Sequence, residues 1–305
     1  MQIIVSESFS PSFNLASEQF LLTERQHDVL FFYINSPCVV LGRNQNAYAE
    51  ANLPFCREQG ITVIRRLSGG GAVYHDNGTI NFCFITRKEN QPLDHDRLAE
   101  IEEALDDLGI TTTRGDRKDL YINQKKISGT ALHCTIDNVL FHGTLLYNTN
   151  LNQLQQALSP SFQMESKAVK SVKSDVTNII DAQSGNINRQ SIEHHAGSTN
   201  FLAHLLRYFS KKYSSKIQHF TPLEKHVIQE LQTTRYDTWD WNFGQSPKTT
   251  LHQTLRYGRN SYTLTFKIEK GQITEIQGAC PSSLKNLLLA QHADKLWDFI
   301  ASNKL

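Results

Sequence analysis

The chain has 305 residues, 39% hydrophobic and 20% charged, with a formal net charge of +1. That balance lacks the strong basic surplus on which non-specific nucleic-acid binding depends, though it leaves room for a small basic pocket. The length suits one large core with a small appendage.

The N-terminus, Met1-Gln2-Ile3-Ile4-Val5-Ser6-Glu7, has neither the basic start nor the long apolar run of a signal peptide. Residues 13–24 place Phe13, Ala16, Phe20 and Leu21 at helical spacing and predict an amphipathic helix. Val29–Ile34 and Cys38–Leu41 are β-rich runs about Asn35-Ser36-Pro37 and predict strand–turn–strand; the same break stops this most apolar region from spanning a bilayer. Ile61–Ile64 predicts a strand running into three glycines. Ala72–His75 and Ile80–Thr86 predict a hairpin about Asp76-Asn77-Gly78. From Pro92 to Gly109 the spacing of Leu98, Ile101, Leu105 and Leu108 predicts a helix stopped by Gly109. Asp119–Ile122, Lys126–Ser128 and Val139–Tyr147 read as strands joined by short polar turns. The polar stretch 181–200 reads as a loop or helix start, Phe201–Tyr213 as a helix, and Tyr262–Ile268 with Ile273–Ile276 as a hairpin about Glu269-Lys270-Gly271-Gln272. Closely spaced hairpin strands with few helices indicate α+β rather than a βαβ repeat. A boundary near residue 247 gives two expected domains, 1–247 and a small 248–305. Cys38, Cys56, Cys83, Cys134 and Cys280 are odd in number, scattered and without CxxC spacing. A reducing, cytoplasmic setting is therefore expected, with no membrane or nucleic-acid partner.

Four segments could carry chemistry. In Arg65-Arg66-Leu67-Ser68-Gly69-Gly70-Gly71-Ala72-Val73-Tyr74-His75-Asp76 the glycines permit positive φ and close backbone approach, so N–H groups can converge on an anion. Arg66 would add a planar charged fork; a flexible hairpin loop is the plain alternative. No Gly-Lys-Ser/Thr follows at Walker spacing, and no Gly-x-Gly-x-x-Gly sits in a βαβ context. In Lys126-Ile127-Ser128-Gly129-Thr130-Ala131, alternation puts Lys126 and Ser128 on one strand face. Lys126 either neutralises phosphate oxygens or is a bland surface lysine. His142, in Phe141-His142-Gly143-Thr144, is either a site residue or a satisfied core histidine. Lys167, Lys170 and Lys173 form a basic stripe before Val176-Thr177-Asn178, either a solvated helix face or a phosphate contact.

Together, in this order, these segments resemble the lipoate–protein ligase family. The Arg-Arg-x-Ser-Gly-Gly-Gly-x-Val-x-His-Asp pattern is specific to lipoyl and octanoyl ligases and transferases. Lys126–Ala131 looks like the family's lysine motif, His142–Leu146 like its next strand, and Val172–Asn178 like its adenylate-binding loop. Asn14-Leu15-Ala16, Gly42-Arg43-Asn44-Gln45-Asn46 and Trp241-Asn242-Phe243-Gly244 also fit, so the likeness spans nearly the whole chain.

The resemblance implies a biotin-ligase-like α+β fold, a mixed sheet flanked by helices, with a small C-terminal α/β accessory domain. It implies a two-step reaction: ATP and lipoate, or octanoate, give an acyl-adenylate and pyrophosphate, and a lysine of an apo lipoyl domain then takes the acyl group. The acceptors implied are E2 subunits of 2-oxoacid dehydrogenases and the glycine-cleavage H protein. Bringing a carboxylate to within ~4 Å of a phosphate charge costs about 4 kcal/mol at an effective dielectric of ~20. Lys126 is the cation assigned to that task. Arg66, Gly71, Ala72, Val73 and Tyr74 would hold ATP, with Val176, Thr177 and Asn178 at the adenylate. Ser68, Gly69, Gly70, Gly71, His75, Asn81, Gly129 and His142 would line the lipoyl slot or support it. Asp119 would bind Mg2+, orient Lys126, or take the acceptor lysine's proton. One departure stands out: Arg117-Lys118-Asp119 replaces the family's common Arg-Asn-Asp. The rival readings are an ATP-independent acyl transferase using Cys134, a biotin ligase, whose Gly-Arg-Gly-Arg signature is missing, and a non-catalytic lipoyl-domain binder.

Overall fold

The computed structural model describes residues 1–88, 96–160, 164–183 and 197–302. Residues 184–196 of the polar stretch and the Pro92 start of the predicted helix lie outside them. The strands are β1 (Gln2–Val5), β2 (Val29–Ile34), β3 (Cys38–Leu41), β4 (Thr62–Arg65), β5 (Val73–His75), β6 (Thr79–Arg87), β7 (Thr113–Arg114), β8 (Leu120–Ile122), β9 (Lys125–Ser128), β10 (Thr130–Cys134), β11 (Asn138–Leu146), β12 (Met164–Ser166), β13 (Ile217–Gln218), β14 (Thr249–Tyr257), β15 (Asn260–Glu269) and β16 (Gln272–Gln277). The chain divides into two compact units.

Unit 1 comprises Met1–Pro37, His75–Leu154 and Lys173–Thr234. Its main sheet has the order β10-β11-β6-β2-β1-β13. It is mixed, with β1 parallel to both β2 and β13 while β2, β6, β11 and β10 run antiparallel. One face packs Phe32, Phe82 and Phe84 against Phe209 and Phe201 of the helix Ser198–Lys212 and against the helix Arg97–Asp107. Burying each such ring contributes roughly 1.5–3 kcal/mol. Helix α1 (Pro11–Glu24) also packs on β2, β6 and β11. Its start is set by Pro11 in the first turn and by the Ser10 hydroxyl, which accepts from the Phe13 N–H. All six residues of β2 are buried, which is why its sequence reads as a continuous apolar run rather than an alternation. The small sheet β7-β8-β9 completes the unit.

Unit 2 comprises Cys38–Tyr74, Gln155–Val172 and Arg235–Leu305. It contains the sheet β4-β3-β5, with β3 and β4 parallel, and the antiparallel sheet β12-β14-β15-β16. The β15–β16 hairpin forms where expected, with Lys270 and Gly271 at φ 47° and 72°, the left-handed pair a tight hairpin requires. Residues 248–305 lie in unit 2 with the glycine-loop segment.

The α+β class holds, and so does strand–turn–strand about Asn35-Ser36-Pro37, with its two strands in different sheets; the hairpin expected about Asp76-Asn77-Gly78 does not pair. β2 joins β1 and β6 while β3 joins β4 and β5; likewise β5 joins β3 while β6 joins β2 and β11. The turn about Asp76 does form. Asp76 Oδ1 accepts from the Gly78 N–H at 2.9 Å and Oδ2 from the Asn150 N–H at 2.8 Å. Turn residues bend the chain, whereas strand partners are chosen by which neighbours bury both faces of each run. The basic segment 167–175 is not a helix face: it is irregular and ends in a single bridge at Val176. Among the described residues no helix is long and apolar enough to cross a membrane.

Candidate active site

In unit 1, Lys126 is tied down by its backbone and its ammonium alike. Its N–H donates to Asp175 O at 2.8 Å and its carbonyl accepts from the Thr177 N–H at 3.0 Å, a parallel bridge that zips the Val176-Thr177 segment onto the lysine. Lys126 Nζ lies 2.9 Å from Asp119 Oδ2, and the Tyr121 hydroxyl donates to the same oxygen at 3.1 Å. Burial pushes the Asp119 carboxyl up, but Lys126's hydrogen bond and charge, with Tyr121, outweigh it and hold it below the usual range. A Cβ at Gly129 would stand 3.5 Å from Lys126 Cε and 3.7 Å from Nζ, so any longer side chain there would cover the ammonium. Lys118, just before Asp119, has φ 56°. Asparagine takes that left-handed backbone more readily than lysine. The Lys118 side chain is exposed.

From Gly129 the site continues onto the main sheet. The Thr144 hydroxyl accepts from the Gly129 N–H at 3.3 Å, and Thr144 stands across from Asn81. Asn81 Nδ2 donates to Tyr33 O at 3.2 Å, while Asn81 Oδ1, Ser128 Oγ and Asp119 Oδ1 are buried without a hydrogen-bond partner. Native proteins rarely leave such atoms orphaned, because each costs about 1–3 kcal/mol.

His142 stands across from Cys83 and places Nδ1 2.9 Å from Glu18 Oε1, to which the Tyr33 hydroxyl also donates at 3.0 Å. The carboxylate can only accept, so His142 carries a proton on Nδ1. Burial first, and then Glu18's charge and hydrogen bond, push the Cys83 thiol well up. Glu18, Cys83 and His142 offer donor atoms within 4.8 Å of one another, a spacing that suits a metal, but these atoms are already engaged in hydrogen bonds. His75 Nδ1 meets Asn35 Nδ2 at 3.0 Å, and Asn35 Oδ1 accepts from Asn14 at 2.8 Å. The Asn178 amide bonds both backbone groups of Thr149 and reaches Asp181, which fixes its place beside Thr177.

In unit 2 the two arginines are both engaged with backbone carbonyls. Arg65 is fully buried and donates to the carbonyls of Gly42, Gln45, Trp241 and Asn242 and to Ser246 Oγ. Burial, then Arg43's charge, push its pKa down to about 10, so it stays charged at neutral pH. Arg66 donates to Ser68 Oγ and to the carbonyls of Val40, Gly69 and Gly71. It gathers the carbonyls of the glycine loop. The Ala72 N–H donates to Ser171 Oγ at 2.8 Å, and Ser171 in turn donates to the Glu50 carboxylate. Gly70 has φ 89°, and a Cβ at Gly42 would come within 2.1 Å of Gly70 O; Gly69 has open space around its Cβ position. Two of the glycine requirements are thus backbone geometry, and Gly69 alone is free to respond to a ligand.

Glu18, Tyr33, Thr144, Glu50 and Ser171 were not flagged by sequence. Asn14 and Glu18 stand at i, i+4 on α1, and two polar residues on one face need partners once that face is buried. Cys134 ends β10 and is exposed. Cys134→Ser is expected to keep full acyl-transfer activity; loss of transfer by a normally folded variant would restore the thioester route.

A partly exposed lysine aimed by a buried aspartate, in a protein that also carries an arginine-braced glycine loop, is an arrangement suited to an acyl-activating enzyme. The lipoyl protein ligase A/B catalytic domain matches residues 10–198, and the chain belongs to the lipoate–protein ligase family. It is 34% identical to lipoate-protein ligase LplJ of Bacillus subtilis over 87% of this chain and 80% of that protein. It is 31% identical to lipoate--protein ligase 1 of Staphylococcus aureus over 86% of this chain and 79% of that one. Its fold is similar to that of P. falciparum LipL1 in complex with lipoate, with TM-score 0.65, 26% identity, and 90% of this chain and 83% of that one covered.

Proposed function

We propose that this protein activates lipoate with ATP to lipoyl-adenylate, releasing pyrophosphate, and transfers the lipoyl group to a lysine of an apo lipoyl domain. The observation that carries the reading is Lys126, held between Asp119 and the Val176-Thr177 segment and beside the open face of Gly129. Its ammonium meets the lipoate carboxylate and the α-phosphate, lowering their repulsion, and then holds the adenylate's carbonyl oxygen. Asp119 fits an orienting role because Oδ2 is committed to Lys126. Its remaining oxygen is a single hard donor, and Mg2+ usually takes one or two carboxylates plus substrate phosphates, so Asp119 also suits the edge of a magnesium–ATP site. His142 and Asn81 suit the lipoyl slot, the first fixed by Glu18 and the second offering Oδ1. His75, fixed through Asn35, supports that sheet face.

Arg66 shapes the loop Ser68–Tyr74, whose backbone serves the nucleotide, with Val176 and Thr177 at the adenylate. Residues 248–305 act as an accessory domain, and the protein works in the cytoplasm. One relative of known structure is described as a bi-partite ligase with its E2 lipoyl domain. E2 subunits are accordingly the first acceptors to try here, followed by the glycine-cleavage H protein. Gly69→Ala adds a Cβ into open space, so it is expected to leave stability unchanged and raise the lipoate KM several-fold. An unchanged KM removes Gly69 from the slot wall. For the reaction itself, ATP–pyrophosphate exchange that requires lipoate but no acceptor is expected. Acyl transfer from a carrier with no exchange would replace the ligase by a transferase.

A further inference from the structure

Lys126 shares its carboxylate partner with a residue that the sequence did not single out. In the small sheet of unit 1, Tyr121 of β8 stands directly across from Lys126 of β9. The register steps there from Leu120–Ser128 to Tyr121–Lys126 and leaves Ile127 without an opposite number, a β-bulge. Bulges re-aim the side chains beside them, and both side chains here converge on the aspartate that precedes β8. Asp119 Oδ2 lies 2.9 Å from Lys126 Nζ and accepts from the Tyr121 hydroxyl at 3.1 Å. The other carboxylate oxygen lies against Gly115, where a Cβ would stand 2.4 Å from Asp119 Oδ1 and 2.6 Å from Tyr121 Cε2. The Gly115 N–H also donates to Asp119 O at 2.9 Å, so one neighbour holds both the backbone and the carboxylate of the aspartate. An ammonium has three protons to give, and each carboxylate oxygen has about two sites to receive them. With Tyr121 on one site of Oδ2, Lys126 spends one proton on Asp119 and keeps two.

We propose that Tyr121 is a positioning residue for Lys126: by donating to Asp119 Oδ2 it limits the aspartate to one ammonium proton and leaves the other two for the reacting carboxylate and the α-phosphate. The proposal rests on the adenylating role of Lys126. Without the hydroxyl, Oδ2 has a site left over, and a second ammonium proton falls to Asp119 instead of to substrate. The tyrosine acts on the chemistry only through the aspartate. Gly115 belongs to the same device, since any side chain there would drive Oδ1 and the tyrosine ring from their places.

The test is a double-variant cycle on the full chain, Tyr121→Phe and Lys126→Ala singly and together, read by lipoate-dependent ATP–pyrophosphate exchange and by chemical denaturation. Tyr121→Phe is expected to lower the exchange kcat about 3- to 10-fold, the net worth of one hydrogen bond, and to leave KM for ATP and lipoate within about twofold. With Lys126→Ala already in place, the same substitution should cost less than about 1.5-fold, because the lysine it positions is gone. Gly115→Ala, which disturbs the same carboxylate from its other side, should show the same dependence on Lys126. Stability should be non-additive as well, since both substitutions remove a donor from one oxygen. An equal fold-loss in both backgrounds makes Tyr121 a brace of the sheet and overturns the proposal. So does wild-type exchange by Tyr121→Phe, or strictly additive stability. Non-additive stability in a chain with no lipoate-dependent exchange would keep the tyrosine's hold on the lysine and remove the ligase reading.

Discussion

Lys126→Ala is expected to lower lipoate-dependent pyrophosphate release by about 10²- to 10³-fold, the usual effect of removing one preorganised donor at an acyl centre. Three features make the effect this large. The lysine backbone is pinned on both sides by Asp175 and Thr177, its ammonium is aimed by Asp119, and Gly129 leaves its face uncovered. The variant also loses stability, because Asp119 is 3% exposed and its charge would be left uncompensated. Lys126 is itself partly exposed, with 23% of its side chain accessible, so water softens that loss to about 1–2 kcal/mol. The pH dependence has a definite sign. The folded Asp119 carboxyl is held below its unfolded value, so the pair's contribution is fully present above that unfolded value, ~3.9, and fades as pH falls through the lower folded one. Wild type and Lys126→Ala should therefore converge in stability at the acid end. Lys126→Gln, which keeps a donor to Asp119, separates the two effects: it should recover stability without recovering pyrophosphate release. A Lys126→Ala protein that folds normally and releases pyrophosphate at the wild-type rate would remove the lysine from the chemistry.

The second large effect is on the fold. Glu18→Ala is expected to cost about 3–5 kcal/mol, the range for removing one member of a buried ionic cluster. Glu18 is 3% exposed, and its carboxylate is the acceptor for Tyr33, His142 and Cys83. Alanine would strand those donors on the sheet face that also carries Asn81. Chemical denaturation of Glu18→Ala, His142→Phe and the double variant gives the check. The double variant should be more stable than the sum of the two losses predicts, by about 0.5–3 kcal/mol. A loss under 1 kcal/mol for Glu18→Ala, or strict additivity, would mean that the cluster is not a unit.

The strands and helices were largely legible because their burial is written in runs and periods. β2 is apolar throughout and buried throughout, and Leu98, Ile101 and Leu105 do line the helix Arg97–Asp107. Which strands pair was not legible. Asp76-Asn77-Gly78 encodes a turn, but β6 is drawn to β2 and β11 by Phe82 and Phe84, whose partners come from distant segments. The helix Pro222–Leu231 was missed although Thr221 and Glu224 form a capping box, because its surface is mostly polar and only Ile228 is buried. In the site, the Lys126 motif and Val176-Thr177 were found separately, and the bridge that joins them is visible only in three dimensions. Arg66 reads in the sequence as a planar charged fork; that its guanidinium also donates to the carbonyls of the glycine loop is visible only once the backbone is folded. Glu18 escaped because a charged residue in a helix usually faces water, and its buried partners lie 15 and 124 residues away.

The central claim, that this chain couples ATP cleavage to lipoylation, is tested most directly by intact-mass analysis of an apo lipoyl domain incubated with the enzyme, Mg2+, ATP and lipoate, with pyrophosphate counted in the same tube. The account predicts one lipoyl group on one lysine for each pyrophosphate released, and lipoyl-adenylate accumulating on the enzyme when the acceptor is withheld. Modification of the acceptor without ATP, or ATP cleavage that does not depend on lipoate, would contradict it.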